Sequence, residues 1–408
     1  MKIIPLCCAL FLAMRAFAAD STVPASTAIN SFGLDLLRAA ANPKMNALFS
    51  PYAVESALAL TYAGADGVTR DEMARTLHFE TNEPALHGSF GMLQNQLKSL
   101  TARSSLAVSS ERQHMTRVIH EPIQFTMPDR LIGGGGFGVQ ISYLNSISNS
   151  YQPELVQFDF SRDPYRGRKL LNDWIYGHSS LRFPNLIPEE DLGADPKLVL
   201  VSAIFLKTSW AHPFEPASTK PAPFHLATGA SVDVPMMWKF ETVGFMKYNK
   251  FTAIAVPFFT DELQFLVLLP DTANGLGNLE SEISQLGACA NLPKREILLG
   301  LPKFKITPPM LHLNALLRTL GLNTAFDETA NFSRLSKDKI FVTGVFHKTF
   351  LALDEKGSEA PETYIVSKTD TNIPEMAVTV TVDHPFLFAV QHRPSGACLF
   401  LGHVADPR

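Results

Sequence analysis

The sequence contains little charge and few cysteines. Only 18% of the 408 residues are charged and the formal net charge is −4, so the chain has no electrostatic reason to bind nucleic acid. Beyond the first 18 residues the cysteines are Cys289 and Cys398, too few for a disulfide scaffold. We expect two separate buried thiols rather than a disulfide. Stability must therefore come from a hydrophobic core, which a hydrophobic content of 46% can supply.

The signatures of common catalytic and metal sites are also missing. The sequence contains no Gly-x-Ser-x-Gly nucleophile elbow, no His-Glu-x-x-His zinc helix and no Walker loop. The glycine run at 133–136 has no Lys-Ser/Thr pair after it, so we interpret it as a flexible connection rather than a phosphate-binding loop. The 12 histidines are scattered without ligand spacing. The sequence thus predicts no catalytic residue, no metal and no other cofactor.

Residues 1–18 have the pattern of a secretory signal peptide. Lys2 supplies a positive start, residues 3–14 form a short apolar run, and Ala16-Phe17-Ala18 fits the small-x-small cleavage rule. A buried N-terminal helix is the alternative. The run is too short to span a membrane, and no later segment approaches the roughly 18 apolar residues that a membrane helix needs. We therefore expect residues 19–408 to form one monomeric domain without membrane contact, in the extracellular medium or, in a Gram-negative host, the periplasm.

Helical spacing dominates the first part of the mature chain. We predict Asn30 as the cap of a first helix and Ser50-Pro51 as the start of a second. Asparagine and serine satisfy free N–H groups at helix starts, and proline suits the first turn. Gly64 and Gly67 are expected to end the second helix. Residues 71–77 predict a third, short helix with acidic residues in its first turn.

Strand patterns dominate the later part. Residues 198–206 form a continuous apolar run, as expected for a strand that is buried on both faces. The other predicted strands are apolar or alternating segments next to turn residues, namely 253–257 and 263–269 (a hairpin), 378–382, and 386–390 and 398–402 (a closing hairpin). Helices early and strands late indicate an α+β fold.

The segment 355–375 fits neither pattern. It lies between apolar strands, contains two prolines and many charged residues, and has little apolar content. A structureless loop of about 20 residues inside a compact domain counts against an assignment unless the loop itself is functional. We therefore interpret this segment as the functional part of the chain.

Seven short motifs follow one another along the mature chain: Asn46-Ala47-Leu48-Phe49-Ser50-Pro51, Gly64-Ala65-x-Gly67-x-Thr69, Leu171-Asn172-x-Trp174-Ile175, Ser202-Ala203-Ile204-Phe205-Leu206-Lys207-x-x-Trp210, Leu301-Pro302-Lys303-Phe304, Glu355-Lys356-Gly357-Ser358-Glu359-Ala360 and Asp383-His384-Pro385-Phe386. Each is weak alone. Together, and in this order, they resemble the serpin family of serine protease inhibitors along nearly the whole mature chain. Residues 90–150 are the least similar part.

The resemblance implies the serpin fold: α+β, with a large central mixed sheet, smaller sheets, about eight or nine helices and an exposed reactive-centre loop at about 355–377. In inhibitory serpins a serine protease attacks this loop and forms an acyl-enzyme, and the N-terminal half of the loop then inserts as a new strand in the central sheet. The native state is kinetically trapped, because the unfilled strand position stores free energy. The resemblance therefore implies an inhibitor and not an enzyme, with a serine or cysteine protease as its partner.

The resemblance also implies roles for particular residues. The expected loop hinge consists mostly of small side chains, which suit rapid entry into a sheet: Glu355, Gly357, Ser358, Glu359 and Ala360. The expected sheet-opening region consists of Ser50, Ser202, Trp210 and His347. Ser202 stands where the family commonly has asparagine, so only part of the hydrogen-bond network around His347 is expected to remain.

The residues after the hinge fit sheet insertion poorly. Pro361 has no N–H to give to a central strand. Glu362 and Tyr364 would share a face with Ala360, because alternate residues of a strand point to the same side. If that face is buried, Glu362 becomes a buried carboxylate and Tyr364 is large for its position. Insertion would then stall after Ala360.

The bond that a protease would cut depends on the loop register. The longer register of the family, counted from Gly357, gives Thr371-Asn372, whereas the shorter one gives Pro374, a poor acyl donor. We predict Thr371-Asn372, with Lys368 and Ile373 as alternatives. A threonine at this position points to a protease with a small apolar specificity pocket rather than a trypsin-like one.

Three functions remain open from the sequence. The first is an exported protease inhibitor. The second is a non-inhibitory serpin with a carrier, signalling, chaperone-like or substrate role, favoured by the residues after the hinge. The third, an enzyme on this scaffold, has no visible catalytic constellation. We interpret Arg103, Arg112 and Arg117 as solvated surface charges rather than a polyanion site.

Overall fold

The computed structural model describes residues 22–40, 42–114, 118–127, 129–134, 137–151, 155–158, 160, 163–178, 185–188, 191–192, 196–284, 286–358 and 378–408. Within these ranges no helix combines the length and the apolar character needed to cross a membrane. In the same ranges, no group of three or more His, Cys, Asp or Glu residues is arranged to hold a metal ion. The predicted signal peptide at 1–18 lies outside the described residues.

Most helices lie in the first half of the chain, as the spacing predicts. They are α1 (Val23–Ala40), α2 (Pro51–Gly64), α3 (Gly67–Thr76), α4 (Glu83–Lys98), α5 (Leu100–Gln113), α6 (Ile141–Tyr151), α7 (Pro164–His178), α8 (Leu276–Glu282) and α9 (Asn314–Thr319). Ser50 caps α2 as predicted, because its Oγ accepts the Ala53 N–H at 3.1 Å. Helix α3 begins at Gly67 rather than at residue 71, so its acidic residues do not lie in the first turn.

The strands include every predicted one. They are β1 (Ala47–Phe49), β2 (Gln124–Thr126), β3 (Asp129–Gly134), β4 (Leu155–Phe158), β5 (Leu198–Ala203), β6 (Phe205–Ser209), β7 (Lys220–His225), β8 (Ser231–Lys247), β9 (Phe251–Pro257), β10 (Leu263–Pro270), β11 (Lys294–Pro302), β12 (Phe304–Ile306), β13 (Leu311–His312), β14 (Val342–Lys348), β15 (Leu351–Leu353), β16 (Gly357–Ser358), β17 (Val378–Thr381), β18 (Phe386–His392) and β19 (Ala397–Val404).

A nine-stranded sheet holds both predicted hairpins. In the described part of the chain its order is β1-β19-β18-β10-β9-β8-β11-β17, with β7 paired to β8. Strands β9 and β10 pair as one hairpin, and β18 and β19 as the other. Both strands of the second hairpin are buried along their whole length, so the C-terminal hairpin is part of the core.

The Asn30 prediction was wrong. Asn30 lies inside α1 and is buried, so it caps nothing. Its amide nitrogen donates to the carbonyl of Gly396 at 2.9 Å, and its Oδ1 accepts the N–H of Cys398 at 2.9 Å. The side chain therefore satisfies backbone groups at the turn between β18 and β19, which would otherwise be buried without partners.

The central sheet consists of two five-stranded halves, and some continuous stretches of chain contribute one strand to each half. The upper half has the order β12-β15-β16-β6-β2, and the lower half has the order β13-β14-β5-β3-β4. The chain passes directly between halves from β5 to β6 and from β14 to β15. Parallel and antiparallel ladders both occur, as between β14 and β5 and between β3 and β5. The predicted mixed central sheet is confirmed.

Helices cover both faces of the lower half. Leu198 and Leu200 of β5 belong to the main core together with the side chains of α2. Val199 and Val201 belong instead to a second core cluster that contains Leu171 and other residues of α7. Because alternate residues of a strand face opposite sides, β5 is sandwiched between the two helices. The continuous apolar run at 198–206 is explained by this double burial.

Two further predictions concern cysteine and glycine. Cys289 and Cys398 are both free and buried, as expected. Gly133 and Gly134 belong to β3, where Gly133 pairs with Leu198, so the flexible connection predicted there was wrong. Neighbouring strands on both sides supply backbone hydrogen bonds, which override the low strand propensity of glycine. The rest of that glycine run lies outside the described residues.

Candidate functional site

The start of the unusual loop already forms a strand in the central sheet. Gly357 and Ser358 make up β16, which lies between β6 and β15 in the upper half. Gly357 pairs with Ser209, and Ser358 pairs with both Thr208 and Leu353, antiparallel in each case. We name the gap between β6 and β15, filled by these two residues, the hinge slot.

Below the hinge slot the sheet is closed. Strand β14 pairs directly with β5, and His347 lies opposite Ser202. The same numerical offset relates His347 to Ser202 and Leu353 to Thr208 (145 in both), so one register runs through both halves. The slot is therefore a position where a further strand can continue downward only if β5 separates from β14.

Gly357 is required by the backbone. Its φ is +148°, a conformation that residues with a side chain rarely adopt. A Cβ at this position would lie 2.1 Å from the carbonyl oxygen of Thr208 and 2.7 Å from the Cα of Ser209. Only glycine lets the hinge approach β6 this closely.

The residues before the hinge form a tight turn on Trp210. Oδ1 of Asp354 accepts the N–H groups of Lys356 at 2.8 Å and Gly357 at 3.2 Å. The indole N–H of Trp210 donates to the Asp354 carbonyl at 2.8 Å, and its backbone N–H donates to the Lys356 carbonyl at 2.9 Å. Trp210 is fully buried. It thus fixes the point at which the loop enters the sheet.

Glu355 is held by two polar partners. Its Oε2 lies 2.7 Å from the Lys303 ammonium, and its Oε1 accepts the hydroxyl of Thr219 at 2.7 Å. Burial opposes ionisation of Glu355, but the hydrogen bonds from Lys303 and Thr219 outweigh it and hold its pKa below the ordinary value. The carboxylate is therefore charged at neutral pH and ties the hinge to the residue between β11 and β12 and to the segment before β7.

His347 connects the closed half of the sheet to α2. Its Nε2 accepts the backbone N–H of Ser50 at 3.0 Å, and its Nδ1 faces the hydroxyl and carbonyl oxygens of Ser202 at 3.2 and 3.3 Å. Burial lowers the pKa of His347 to about 4. The imidazole is therefore neutral at physiological pH. Serine in place of asparagine at 202 still reaches His347.

The far end of the loop is anchored separately. Strand β17 pairs in parallel with β11 at the edge of the nine-stranded sheet. His384 follows, with Nδ1 2.7 Å from Oδ1 of Asp383 and Nε2 2.7 Å from the carbonyl oxygen of Pro270. Burial opposes protonation of His384, but the carboxylate and the carbonyl raise its pKa above the ordinary value. The loop therefore starts in one sheet and ends on another.

Part of the predicted site lies outside the described residues. This applies to the hinge residues Glu359 and Ala360, to the residues Pro361, Glu362 and Tyr364, and to the predicted bond Thr371-Asn372. The other predicted residues form two groups. Glu355, Gly357, Ser358 and Trp210 lie together at the hinge slot. Ser50, Ser202 and His347 lie together below it.

Sequence reasoning missed several residues of the site. Lys303 was in a motif, but nothing in the sequence joined it to Glu355. Arg103 was interpreted as a solvated charge, and its side chain is 40% exposed, but the sequence did not reveal that its Nε donates to Oε1 of Glu262 at 3.0 Å. Glu262 was assigned to a hairpin turn, and that turn lies beside Trp210. Such partners are distant in sequence, so only the fold reveals them.

Comparisons with known proteins agree with the resemblance seen in the sequence. The sequence model of the family described as Serpin (serine protease inhibitor) matches residues 27–407. The leukocyte elastase inhibitor of Sus scrofa is 30% identical over 397 residues, which cover 94% of this chain and 99% of the relative.

Two solved structures share the fold. Mouse protein-Z dependent protease inhibitor matches with a TM-score of 0.78 and 22% identity, over 96% of this chain and 99% of that one. Human thyroxine-binding globulin, complexed with thyroxine, matches with a TM-score of 0.77 and 24% identity, over 95% and 99%. At these identities the likeness concerns the fold alone.

Proposed function

The chain belongs to the serpin family, and on that premise we propose that it is a secreted inhibitor of serine endopeptidases. It is not an enzyme, since the family and the relative with 30% identity are described as inhibitors. The protease would attack the loop that follows β16 and form an acyl-enzyme with it. Insertion of the cut loop into the central sheet would then trap the protease in this covalent complex. The observation that carries the proposal is the hinge slot, where Gly357 and Ser358 already occupy the position of a new strand.

Strand pairing supplies the driving force. Strands β5 and β14 pair in parallel in the closed half, whereas β16 is antiparallel to both β6 and β15. An inserted loop would replace one parallel ladder by two antiparallel ones. Antiparallel pairing is slightly more stable per residue, and each added hydrogen bond contributes about 1 kcal/mol net. Separation of β5 from β14 and loss of the contact between His347 and Ser202 would oppose it.

The export and target parts of the proposal come from the sequence and from the relatives. Residues 1–18 would direct the chain out of the cell, and residues 19–408 would remain as one domain. We place the cleaved bond at Thr371-Asn372. A threonine suits a serine protease with a small apolar pocket, in keeping with a relative named as an elastase inhibitor. A cysteine protease is the second target class.

A non-inhibitory role is the second candidate function. If the register of β16 continues downward, Glu362 comes opposite Ile204 and Tyr364 comes between Ser202 and His347. Directly opposite residues share a face, so Tyr364 would point with His347 toward Ser50. Burying Glu362 and Tyr364 there, after a proline at 361, opposes insertion. Thyroxine-binding globulin, which carries a small molecule in its structure, shares this fold.

The deciding experiment is a denaturing gel. Purified residues 19–408 would be mixed with elastase-like, chymotrypsin-like, trypsin-like and subtilisin-like serine proteases. We expect a covalent band at the summed mass with the elastase-like enzyme, and mass spectrometry of that band would locate the cut. Cleavage of the loop without a covalent band, and without a rise in melting temperature, would favour the non-inhibitory role.

A further inference from the structure

The hairpin turn between β9 and β10 is strained. We name residues 258–262 the clamped turn. Thr260 has φ +69° and Asp261 has φ +58°. Residues with a side chain seldom adopt positive φ, and a β-branched residue such as threonine is an outlier there, whereas asparagine and aspartate tolerate it. Backbone strain of this kind persists only where the surroundings enforce it.

Three side chains enforce the strained conformation. Arg103 of α5 binds both carboxylate oxygens of Glu262, and 3.0 Å separates its Nε from Oε1. Arg393, from the turn between β18 and β19, donates to the carbonyl of Asp261 at 3.0 Å and pairs with its carboxylate. The ring of His120 stacks on Phe259 at 4.2 Å. The clamped turn is thus held from three other segments of the chain, namely α5, the segment before β2 and the turn between β18 and β19.

The clamped turn is bonded directly to the strand that seats the hinge. The N–H of Phe259 donates to the Ser209 carbonyl at 2.8 Å. The Phe258 ring stacks on Trp210 at 4.7 Å with an interplanar angle of 8°. Ser209 pairs on its other side with Gly357, and Trp210 donates to the Lys356 carbonyl. The clamped turn and the hinge therefore contact the same two residues, Ser209 and Trp210, from opposite sides.

We infer that Arg103 and Arg393 are positioning residues for the loop hinge, acting through the clamped turn on Ser209 and Trp210. They hold a turn that would otherwise relax, and the turn fixes the edge of β6 on which Gly357 and Ser358 seat. The inference deepens the proposed function, on which its importance for inhibition rests, but the contacts belong to the native state and can be tested without a protease.

The first test is hydrogen exchange of the native protein. Arg103→Ala and Glu262→Gln would be compared with Lys169→Ala, which removes the exposed ion pair between Lys169 and Asp173 on α7. Loss of a partly exposed ion pair predicts about fivefold faster exchange. We expect this in peptides covering 207–210 and 354–358 for the first two variants only. Unchanged hinge exchange in both of them would overturn the inference.

A second test asks whether the turn is the link. Asparagine tolerates positive φ, so Thr260→Asn should hold the turn without help from Arg103. In that background we expect Arg103→Ala to leave hinge exchange nearly unchanged. If Arg103→Ala accelerates hinge exchange equally with and without Thr260→Asn, the arginine does not act through turn strain, and the inference is wrong.

The protease gel separates this inference from the proposed function. If the parent protein forms a covalent complex, we expect Arg103→Ala to shift product from the complex to cleaved free chain. The rate of protease attack should not change, because Arg103 lies beside the clamped turn and not in the reactive-centre loop. Misfolded protein would instead be degraded at many sites and not only within the loop. If the parent forms no complex, the proposed inhibition fails, and hydrogen exchange still decides whether the pair of Arg103 and Glu262 positions the hinge.

Discussion

His347 accepts a hydrogen bond from the backbone N–H of Ser50, with 3.0 Å between Nε2 and the nitrogen. This bond links the closed half of the central sheet to the first residue before α2. On the other side of the imidazole lies Ser202 of β5. Any strand that enters between β5 and β14 must part His347 from Ser202, so this residue stands at the boundary between the native sheet and an expanded one.

Acid should destabilise the native state through His347. The pKa of His347 is about 4 in the folded protein, whereas an ordinary histidine has a pKa of 6.5. Between these pH values the unfolded chain therefore binds the proton more readily than the native state. Native stability is therefore full above pH 6.5 and falls as the pH drops toward 4. The difference between the two pKa values corresponds to about 3 kcal/mol in the free energy of unfolding.

The measurement is the thermal midpoint at pH 7.5 and at pH 5 for the parent and for His347→Gln. Glutamine can still accept from Ser50 and does not titrate. His392, whose pKa burial and then Arg103 lower to about 4, titrates in both proteins. We expect the parent to lose more stability than the variant between the two pH values. Equal losses would show that His347 does not carry the acid sensitivity.

Gly357→Ala should expel the hinge from its slot. The new Cβ would lie 2.1 Å from the Thr208 carbonyl oxygen, at a φ that costs about 1–3 kcal/mol for other residues. We expect faster hydrogen exchange at 357–358 and, with a target protease, mostly cleaved free chain. Ser358→Ala is the matched control, because it removes only a hydroxyl with a long contact of 3.5 Å to the Leu206 carbonyl. Similar behaviour of both variants would contradict the requirement for glycine.

The ion pair between Lys303 and Glu355 should stabilise the hinge. Glu355→Lys and Lys303→Glu each place like charges together at a half-buried site, which should cost about 1–2 kcal/mol. The double exchange restores opposite charges and should recover at least half of the loss. Thermal midpoints of the four proteins complete the cycle. Additive losses in the double variant would mean that the two side chains do not interact.

Local signals in the sequence predicted local features well. The start of α2 at Ser50-Pro51 and the hairpins around residues 258–262 and 394–396 depend on neighbours within a few positions. Asn30 failed because its partners are Gly396 and Cys398, more than 360 residues away. Likewise, the sequence could not pair Arg103 with Glu262, which lies 159 residues away.

The division of the central sheet could not be predicted either. The apolar run at 198–206 correctly predicted a strand that is buried on both faces. Nothing in that run indicates whether the neighbouring strand is β14 or the loop hinge. That choice depends on the free energy of separating β5 from β14 against that of seating Gly357 and Ser358. A single apolar pattern is compatible with both arrangements, and the observed sheet uses one in each half.

Small residues after the hinge should improve insertion. In the continued register the even-numbered residues face α2, so Glu362 and Tyr364 would enter the core, and Pro361 would withhold a ladder hydrogen bond. Each burial costs on the order of 1–3 kcal/mol. Replacing all three by alanine should raise the ratio of covalent complex to cleaved free chain several-fold on the denaturing gel.

Thr363→Ala is the matched control for this triple variant, because residue 363 lies between the other positions and would face α7 on the opposite side. We expect it to leave the ratio unchanged. If Thr363→Ala changes the ratio and the triple variant does not, the inserted strand has the opposite facing, and the register of β16 does not continue below the slot. If neither changes it, separation of β5 from β14 limits insertion, and the contact between His347 and Ser202 becomes the determinant.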